Sequence, residues 1–224
     1  MTLFSIITVT KDNPDGLERT RSSLKMQTCN DYEWIVQDGR TNPDTGIYDA
    51  MNKGLDRASG DYVMFMNAGD VFASSNILAA ITALAGADFI YGDAVENGQL
   101  KPARHNIARG MITHHQAMIY RRKAVPDLRY DTSYHIAADY KYTVQFLAQA
   151  QNWQYIASPL CIFETGGISQ VKTGLGRREQ ALIRQELGIS APGVEVAQIA
   201  AQTLKDWVPS LYWGLRKRRN TNRA

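Results

Sequence analysis

Short apolar runs alternate with segments whose apolar residues recur at helical spacing. Leu3 to Val9 (LFSIITV) is β-branched and reads as a buried strand, followed by a polar break from Thr10 to Gly16. A helix is expected from Leu17 to about Met26, with Asp15 and Glu18 at the spacing of a capping box. Glu33 to Gln37 is a second strand ending at Asp38-Gly39. Ile47, Ala50, Met51, Leu55 and Ala58 then mark a helix, and Tyr62 to Met66 a third strand ending at Asn67-Ala68-Gly69-Asp70. This β-α-β-α-β order predicts an α/β fold with a mostly parallel sheet flanked by helices on both faces.

The alternation loosens after a helix over Ser75 to Leu84. Phe89 to Tyr91 reads as a strand, Asn97-Gly98 as a hairpin turn, Ala117 to Arg121 as a strand and Ile136 to Ala150 as a helix. Two short strands, Trp153 to Ile156 and Leu160 to Glu164, are expected around Pro159, and a charged helix from Lys172 to Leu187. The second half is therefore mixed. Leu204, Trp207, Val208, Leu211, Tyr212 and Leu215 form an apolar stripe at helical spacing, with a kink at Pro209, that runs into a basic cluster. Packing on the domain and lying at an anionic membrane surface are both open to such a C-terminal amphipathic helix.

With 224 residues the chain has room for one domain and a short appendage, and 44% hydrophobic and 21% charged residues are ordinary for a globular protein. The net charge of +3 is unevenly spread. Arg216, Lys217, Arg218, Arg219 and Arg223 lie among the last nine residues, and without them 20 basic residues face 22 acidic ones. The basic charge belongs to the tail, which argues against a nucleic-acid partner and for a local contact with an anionic membrane surface. Cys29 and Cys161 are the only cysteines, and they form no CxxC or Cys/His cluster, so zinc and redox motifs have no support. No apolar run reaches the length of a membrane span, and Leu3 to Val9 lacks the flanks of a secretory signal. The expected location is the cytoplasm, peripheral on the inner face of the cell membrane.

Ligands of an open parallel sheet bind beyond the carboxyl ends of its strands. Thr10, Lys11 and Asp12 follow the first strand, Asp38 and Gly39 the second, and Asn67, Gly69 and Asp70 the third. Three successive strand ends thus each supply an acid. Neither GxGxxG after the first strand nor GxxxxGK[ST] anywhere is present, so glycine-cradled phosphate binding is not encoded. A nucleotide can still be held, with Asp38 accepting hydrogen bonds from base or ribose and Asp70 holding Mg²⁺ or Mn²⁺ against a diphosphate.

The segments SIITVTKDN, YEWIVQDG, GIYDAMNKGLDRASGDYVMFMNAGD, HHQAMIYRR, AADY at Ala137 to Tyr140 and FETGGIS at Phe163 to Ser169 resemble a family 2 glycosyltransferase of the GT-A fold, of the kind found in bacterial exopolysaccharide and capsule assembly. The resemblance is dense over Leu3 to Phe72 and continues in order to Ser169. It implies a Rossmann-like GT-A domain over residues 1–190, with a nucleotide-sugar-binding half (1–95) and an acceptor half (96–190), before a basic membrane-associating segment (191–224). It also implies inverting transfer of a sugar from a nucleotide-sugar donor to a hydroxyl of a lipid-linked glycan acceptor, assisted by Mn²⁺ or Mg²⁺. By position, Thr10 and Asp38 match residues that face the nucleotide, Asp70 the metal-binding acid of a DxD-type motif, and Asp139 the base that deprotonates the acceptor.

Lys53 is placed to pair with phosphate and Asp49 to orient it or line the donor pocket, with a solvated helix face as the alternative for Lys53. His115 and Gln116 resemble a segment on the acceptor side, and Gly167 with Gly166 suits an acceptor loop or a tight turn. Two departures stand out. Gly69 occupies a place where the family often has an acid, so the contact is missing or supplied elsewhere, with Asn67 as a candidate. Only six residues separate Gly39 from Gly46, where similar sequences usually carry a further helix and strand. Both departures keep open a catalytically inactive nucleotide-sugar-binding scaffold. A related nucleotidyltransferase has thin support, from Lys11 alone.

Overall fold

The structure, a computed structural model, describes residues 2–164, 172–189 and 193–208. Its centre is an eight-stranded sheet. β1 (Phe4–Thr10), β2 (Tyr32–Asp38), β3 (Tyr62–Phe65), β4 (Val71–Phe72), β5 (Phe89–Glu96), β6 (Gln99–Lys101), β7 (Met118–Arg121) and β8 (Trp153–Phe163) pair in the order β2-β1-β3-β7-β5-β8-β4, with β6 on β5. Among the described residues, six α-helices accompany it: α1 (Pro14–Lys25), α2 (Ile47–Arg57), α3 (Ile77–Thr82), α4 (Ala138–Leu147), α5 (Thr173–Glu186) and α6 (Val194–Trp207).

The sheet is mixed rather than mostly parallel. β2, β1 and β3 are parallel, as the β-α-β-α-β pattern requires, and β5 is parallel to β8, but β7 runs antiparallel to both β3 and β5. Inserting one reversed strand has a consequence for the site. β1, β2, β3, β5 and β8 all point the same way, so the residues that precede β7 lie on the same edge as the residues that follow the other five.

Strict alternation splits the core into two. Ile7, Val9, Val63, Phe65, Phe89 and Tyr120 face α2 and α4, whereas Phe4, Ile6, Tyr62, Met64, Ile90 and Ile119 face Leu24 of α1 and the buried side of α3. Period-two strands covered on both faces produce this division, and it leaves only the strand ends for polar chemistry.

Other expectations shift in detail. The cap of α1 is Asn13, whose side chain accepts from the Gly16 N–H, so the Asp15–Glu18 box does not form; Pro14 already fixes the first helical position. Trp153–Phe163 is one strand, because Pro159 sits opposite Asp93 at an irregularity in the β5–β8 pairing and so costs no regular ladder bond. Asn97 and Gly98 both have positive φ, 52° and 68°, and close the β5–β6 hairpin as expected. The helix α6 ends at Trp207, before Pro209; Leu211, Tyr212, Leu215 and the basic tail lie outside the described residues. Among the described residues, no helix is long and apolar enough to cross a membrane.

Candidate active site

Parallel register puts Thr10 of β1 directly beside Asp38 of β2, and the Gly39 N–H donates to the Thr10 carbonyl at 3.0 Å. Thr10 and Asp38 are half-buried and Lys11 is exposed. The Asp38 carboxylate accepts the Arg40 N–H at 3.0 Å, and the Arg40 guanidinium pairs with Asp12. This wall is held by short, local, solvent-facing contacts. Asp49 and Lys53 stand beside it on α2. Asp49 Oδ2 accepts from the Thr45 N–H and from Lys53 Nζ, both at 2.9 Å, and Lys53 Nζ also donates to the Pro43 carbonyl at 2.6 Å. The pair closes the loop that leads into α2, and the Thr45 N–H holds the Asp49 carboxyl below its usual range.

The wall after β3 is built differently. Asn67 to Asp70 form a turn fastened to α1, where Thr20 Oγ1 donates to the Asp70 carbonyl at 2.8 Å and accepts from the Gly69 N–H at 3.0 Å. Asp70 is 3% exposed. Its carboxylate accepts from Gln116 Nε2, which precedes β7, and from the Glu164 N–H at 2.8 Å, which follows β8. Burial pushes the carboxyl up to about 6; the Glu164 N–H, His115 and Gln116 oppose that rise, and the Glu164 carboxylate adds to it.

Gly69 has φ 109°, and a Cβ there would lie 1.6 Å from Glu164 Oε2. The position is therefore closed to any side chain while Glu164 lies over it. The other Glu164 oxygen pairs with Arg19 of α1.

Asn67 Nδ2 lies 3.2 Å from His115 Nε2, and His115 Nδ1 lies 3.7 Å from Asp139 Oδ2. One side of the imidazole meets the Asn67 amide and the other the Asp139 carboxylate. His115 thus links the turn that carries Asp70 to the acid in the first turn of α4. The neighbouring His114 stacks on Phe163 at 4.3 Å, and burial lowers its pKa.

Asp139 owes its position to a clamp on residues 135–137. Glu179 of α5, 6% exposed, accepts the N–H groups of His135, Ile136 and Ala137 at 2.9, 2.8 and 2.8 Å. From the opposite side Tyr48 Oη donates to the Ile136 carbonyl at 2.7 Å. Burial, and then the Asp139 charge, raise the Tyr48 pKa, so the phenol stays a donor.

Thr10, Asp38, Asn67, Asp70, His115, Gln116 and Asp139 share one edge of the sheet, whereas Asp49 and Lys53 engage each other on α2 and Gly167 lies outside the described residues. Glu164, Glu179, Arg19 and Arg40 were not singled out by the sequence. Glu164 adjoins Gly166-Gly167, which hinted at a loop; nothing marked Glu179 as the partner of a turn more than forty residues earlier.

A divalent cation fits the residues around Asp70. Asn67 Oδ1 and Gln116 Oε1 are buried without a hydrogen-bond partner among the described residues, and both are hard oxygen donors beside a carboxylate. Among the described residues no group of three or more His, Cys, Asp or Glu could hold a metal ion. A cation here would thus be held by Asp70 and amide oxygens, with the remaining positions left to substrate oxygens.

The chain matches no family model. It is 28% identical to a PGL/p-HBAD biosynthesis glycosyltransferase of Mycobacterium bovis (strain BCG / Pasteur 1173P2), over 64% of this chain and 69% of that protein. It is 29% identical to an uncharacterized glycosyltransferase of Mycobacterium tuberculosis (strain ATCC 25618 / H37Rv), over 73% and 76%. Among solved structures, S. aureus TarS 1–349 in complex with UDP superposes with a TM-score of 0.64 at 15% identity, covering 81% of this chain. The chain spans 65% of that TarS chain. Glucosyl-3-phosphoglycerate synthase from Mycobacterium tuberculosis, in complex with Mn²⁺, UDP and phosphoglyceric acid, gives 0.58 at 11% identity over 86% and 81%. The chain is thus a homologue of glycosyltransferases and has the mixed α/β fold of glycosyltransferase structures.

Proposed function

We propose that the chain is an inverting glycosyltransferase of the family 2, GT-A type, which moves a sugar from a nucleotide-sugar donor to a hydroxyl of a lipid-linked glycan acceptor in polysaccharide assembly. The observation that carries this reading is the pairing of two unlike carboxylates on one sheet edge, buried Asp70 and the partly buried Asp139, whose side chain is 21% exposed, joined through His115. Relatives named for PGL/p-HBAD biosynthesis, and structural neighbours holding UDP, UDP-GlcNAc or Mn²⁺ with UDP, support the donor and cation classes.

In this reading Thr10, Lys11 and Asp38 receive the nucleotide, Asn67 and Asp70 lie at the diphosphate, and Asp49 with Lys53 keeps the adjoining loop closed. A bound divalent cation would offset the charge of the departing diphosphate. The acceptor oxygen attacks the anomeric carbon as the bond from that carbon to the phosphate oxygen breaks, and Asp139 takes the hydroxyl proton. Attack on the face opposite the leaving group inverts the centre. His115 stands beside the Asp139 carboxylate on the acceptor side, and Gln116 fixes Asp70. The segment 191–224, with its basic end, keeps the enzyme on an anionic inner membrane face near its acceptor.

The test is transfer from a panel of nucleotide sugars with and without Mn²⁺. Asp139→Asn is expected to lower kcat by roughly 10²–10⁴-fold, with donor binding and melting temperature kept. Asp70→Ala is expected to abolish metal-dependent turnover. Full, metal-independent activity in Asp70→Ala would overturn the assignment, and donor binding without turnover on any acceptor would favour the scaffold.

A further inference from the structure

We propose that the Glu164 carboxylate is the second acid of the cation site, delivered by β8 in place of a side chain at position 69, and that Arg19 is its counter-ion while no cation is bound. The inference rests on Asp70 as the cation-holding acid and deepens that assignment.

Three features converge on it. The Glu164 N–H donates to Asp70 Oδ1 at 2.8 Å, which fixes the start of the Glu164 side chain against the buried acid. That side chain folds back over Gly69, where a Cβ would lie 1.6 Å from Oε2, so the carboxylate fills the space that a side chain at 69 would take. The sequence lacks an acid at position 69, and the fold returns one to the same place from the end of β8, the strand paired with β4.

The second feature is charge. Two carboxylates held together repel unless a cation stands with them. Here Arg19 of α1 takes that part, pairing with Glu164 where both side chains are about half exposed, 50% and 41%. An exposed pair of this kind is weak and exchangeable.

The third is an unspent acceptor. Gln116 is 1% exposed, commits Nε2 to Asp70, and leaves Oε1 buried without a partner among the described residues. An orphaned buried oxygen destabilises the fold, and a hard, oxygen-seeking cation would offset that cost. Two carboxylates and an amide oxygen, completed by diphosphate oxygens and water, form a donor set suited to Mg²⁺ or Mn²⁺.

The experiment measures binding of Mn²⁺ alone to the full chain, by the loss of the free-ion electron paramagnetic resonance signal, with melting curves confirming that each variant is folded. Asp70→Asn is expected to abolish binding, Glu164→Gln to weaken it at least 10-fold, and Arg19→Met to tighten it several-fold by removing the competing cation. If Glu164→Gln binds like the unaltered chain while Asp70→Asn does not, Glu164 is a latch only and the proposal fails, with Asp70 left in its role. If Arg19→Met weakens binding alongside Glu164→Gln, the ion pair serves the fold and the proposal fails as well. Absence of Mn²⁺ binding by the unaltered chain would overturn the cation site itself. The readout is metal binding, so an inactive scaffold could still satisfy it, and failure of the transferase reading remains distinguishable.

Discussion

The two walls of the candidate site are made by opposite strategies. On the nucleotide side, Thr10, Lys11, Asp38 and the Asp12–Arg40 pair hang on adjacent strand ends, and their contacts are short-range in space and open to solvent. On the side of Asp70 and Asp139, every functional group is held by a partner far away in sequence, as with Gln116, Glu164, Asn67, Tyr48 and Glu179. Groups that must move charge gain from being fixed before the substrate arrives. A nucleotide, large and rich in hydrogen-bonding groups, can order a soft wall as it binds. Substitutions that remove a support of the welded side should therefore damage fold and turnover together, and substitutions on the soft side affinity alone.

The strongest way to break the weld is Glu179→Ala. It leaves three backbone N–H groups of residues 135–137 without their acceptor in a buried turn, at a cost on the order of 3 kcal/mol. For a chain of this size that is a fall in melting temperature of roughly 6–12 °C. Turnover per folded molecule should fall too, with donor KM unchanged, because Asp139 loses its support. Calorimetry with steady-state kinetics checks both. A destabilised variant with undiminished kcat would show that Glu179 serves the fold only and that the acceptor wall is not preorganised through it.

The same contrast separates what the sequence revealed from what it withheld. The edge after β1, β2 and β3 was legible because strand period, strand ends and acids coincide locally: Thr10, Asp38 and Asp70 could be read from apolar runs that stop at polar residues. The reversed strand β7 was not, since a run such as Met118 to Arg121 carries no record of direction. Without that reversal nothing explains why His115 and Gln116 reach Asp70. The two-residue strand β4 was too short to leave a period, and the α1 cap was misassigned because Asn13-Pro14 competes with a plausible box that starts two residues later at Asp15. Glu164 and Glu179 act through single contacts made across the fold, and such contacts have no periodicity.

A milder test follows from the ties between α4, α5 and the loop before them. Lys141, with only 8% of its side chain exposed, donates to Asp131 at 2.7 Å and to Glu186 at 2.5 Å. The Lys141 hydrogen bond holds the Asp131 carboxyl down to about 2, and it also lowers Glu186. Both carboxyls are depressed in the folded state, so their stabilisation is complete above their unfolded values of about 4 and is lost as pH falls from about 5 toward 2. The unaltered chain should lose melting temperature over that window more steeply than Lys141→Met. Solvent screening of the half-exposed carboxylates keeps the difference to roughly 2–4 °C. Parallel pH profiles would mean that these ties contribute nothing across the acid range.

The smallest effect on stability is expected on the soft wall, and there the comparison is sharpest. Asp38→Ala removes an acceptor whose partner within the fold is one exposed loop N–H, that of Arg40. The melting temperature should stay within about 2 °C, as for an exposed ion-pair residue. A hydrogen bond from a donor nucleotide to a carboxylate contributes about 1.5–3 kcal/mol, so donor KM should rise roughly 10- to 100-fold with kcat at saturating donor unchanged. Steady-state kinetics over a range of donor concentrations reads the split directly. If Asp38→Ala lowers kcat as Asp139→Asn does, the nucleotide wall also acts in the transition state, and the division between a soft wall for binding and a rigid wall for chemistry does not hold.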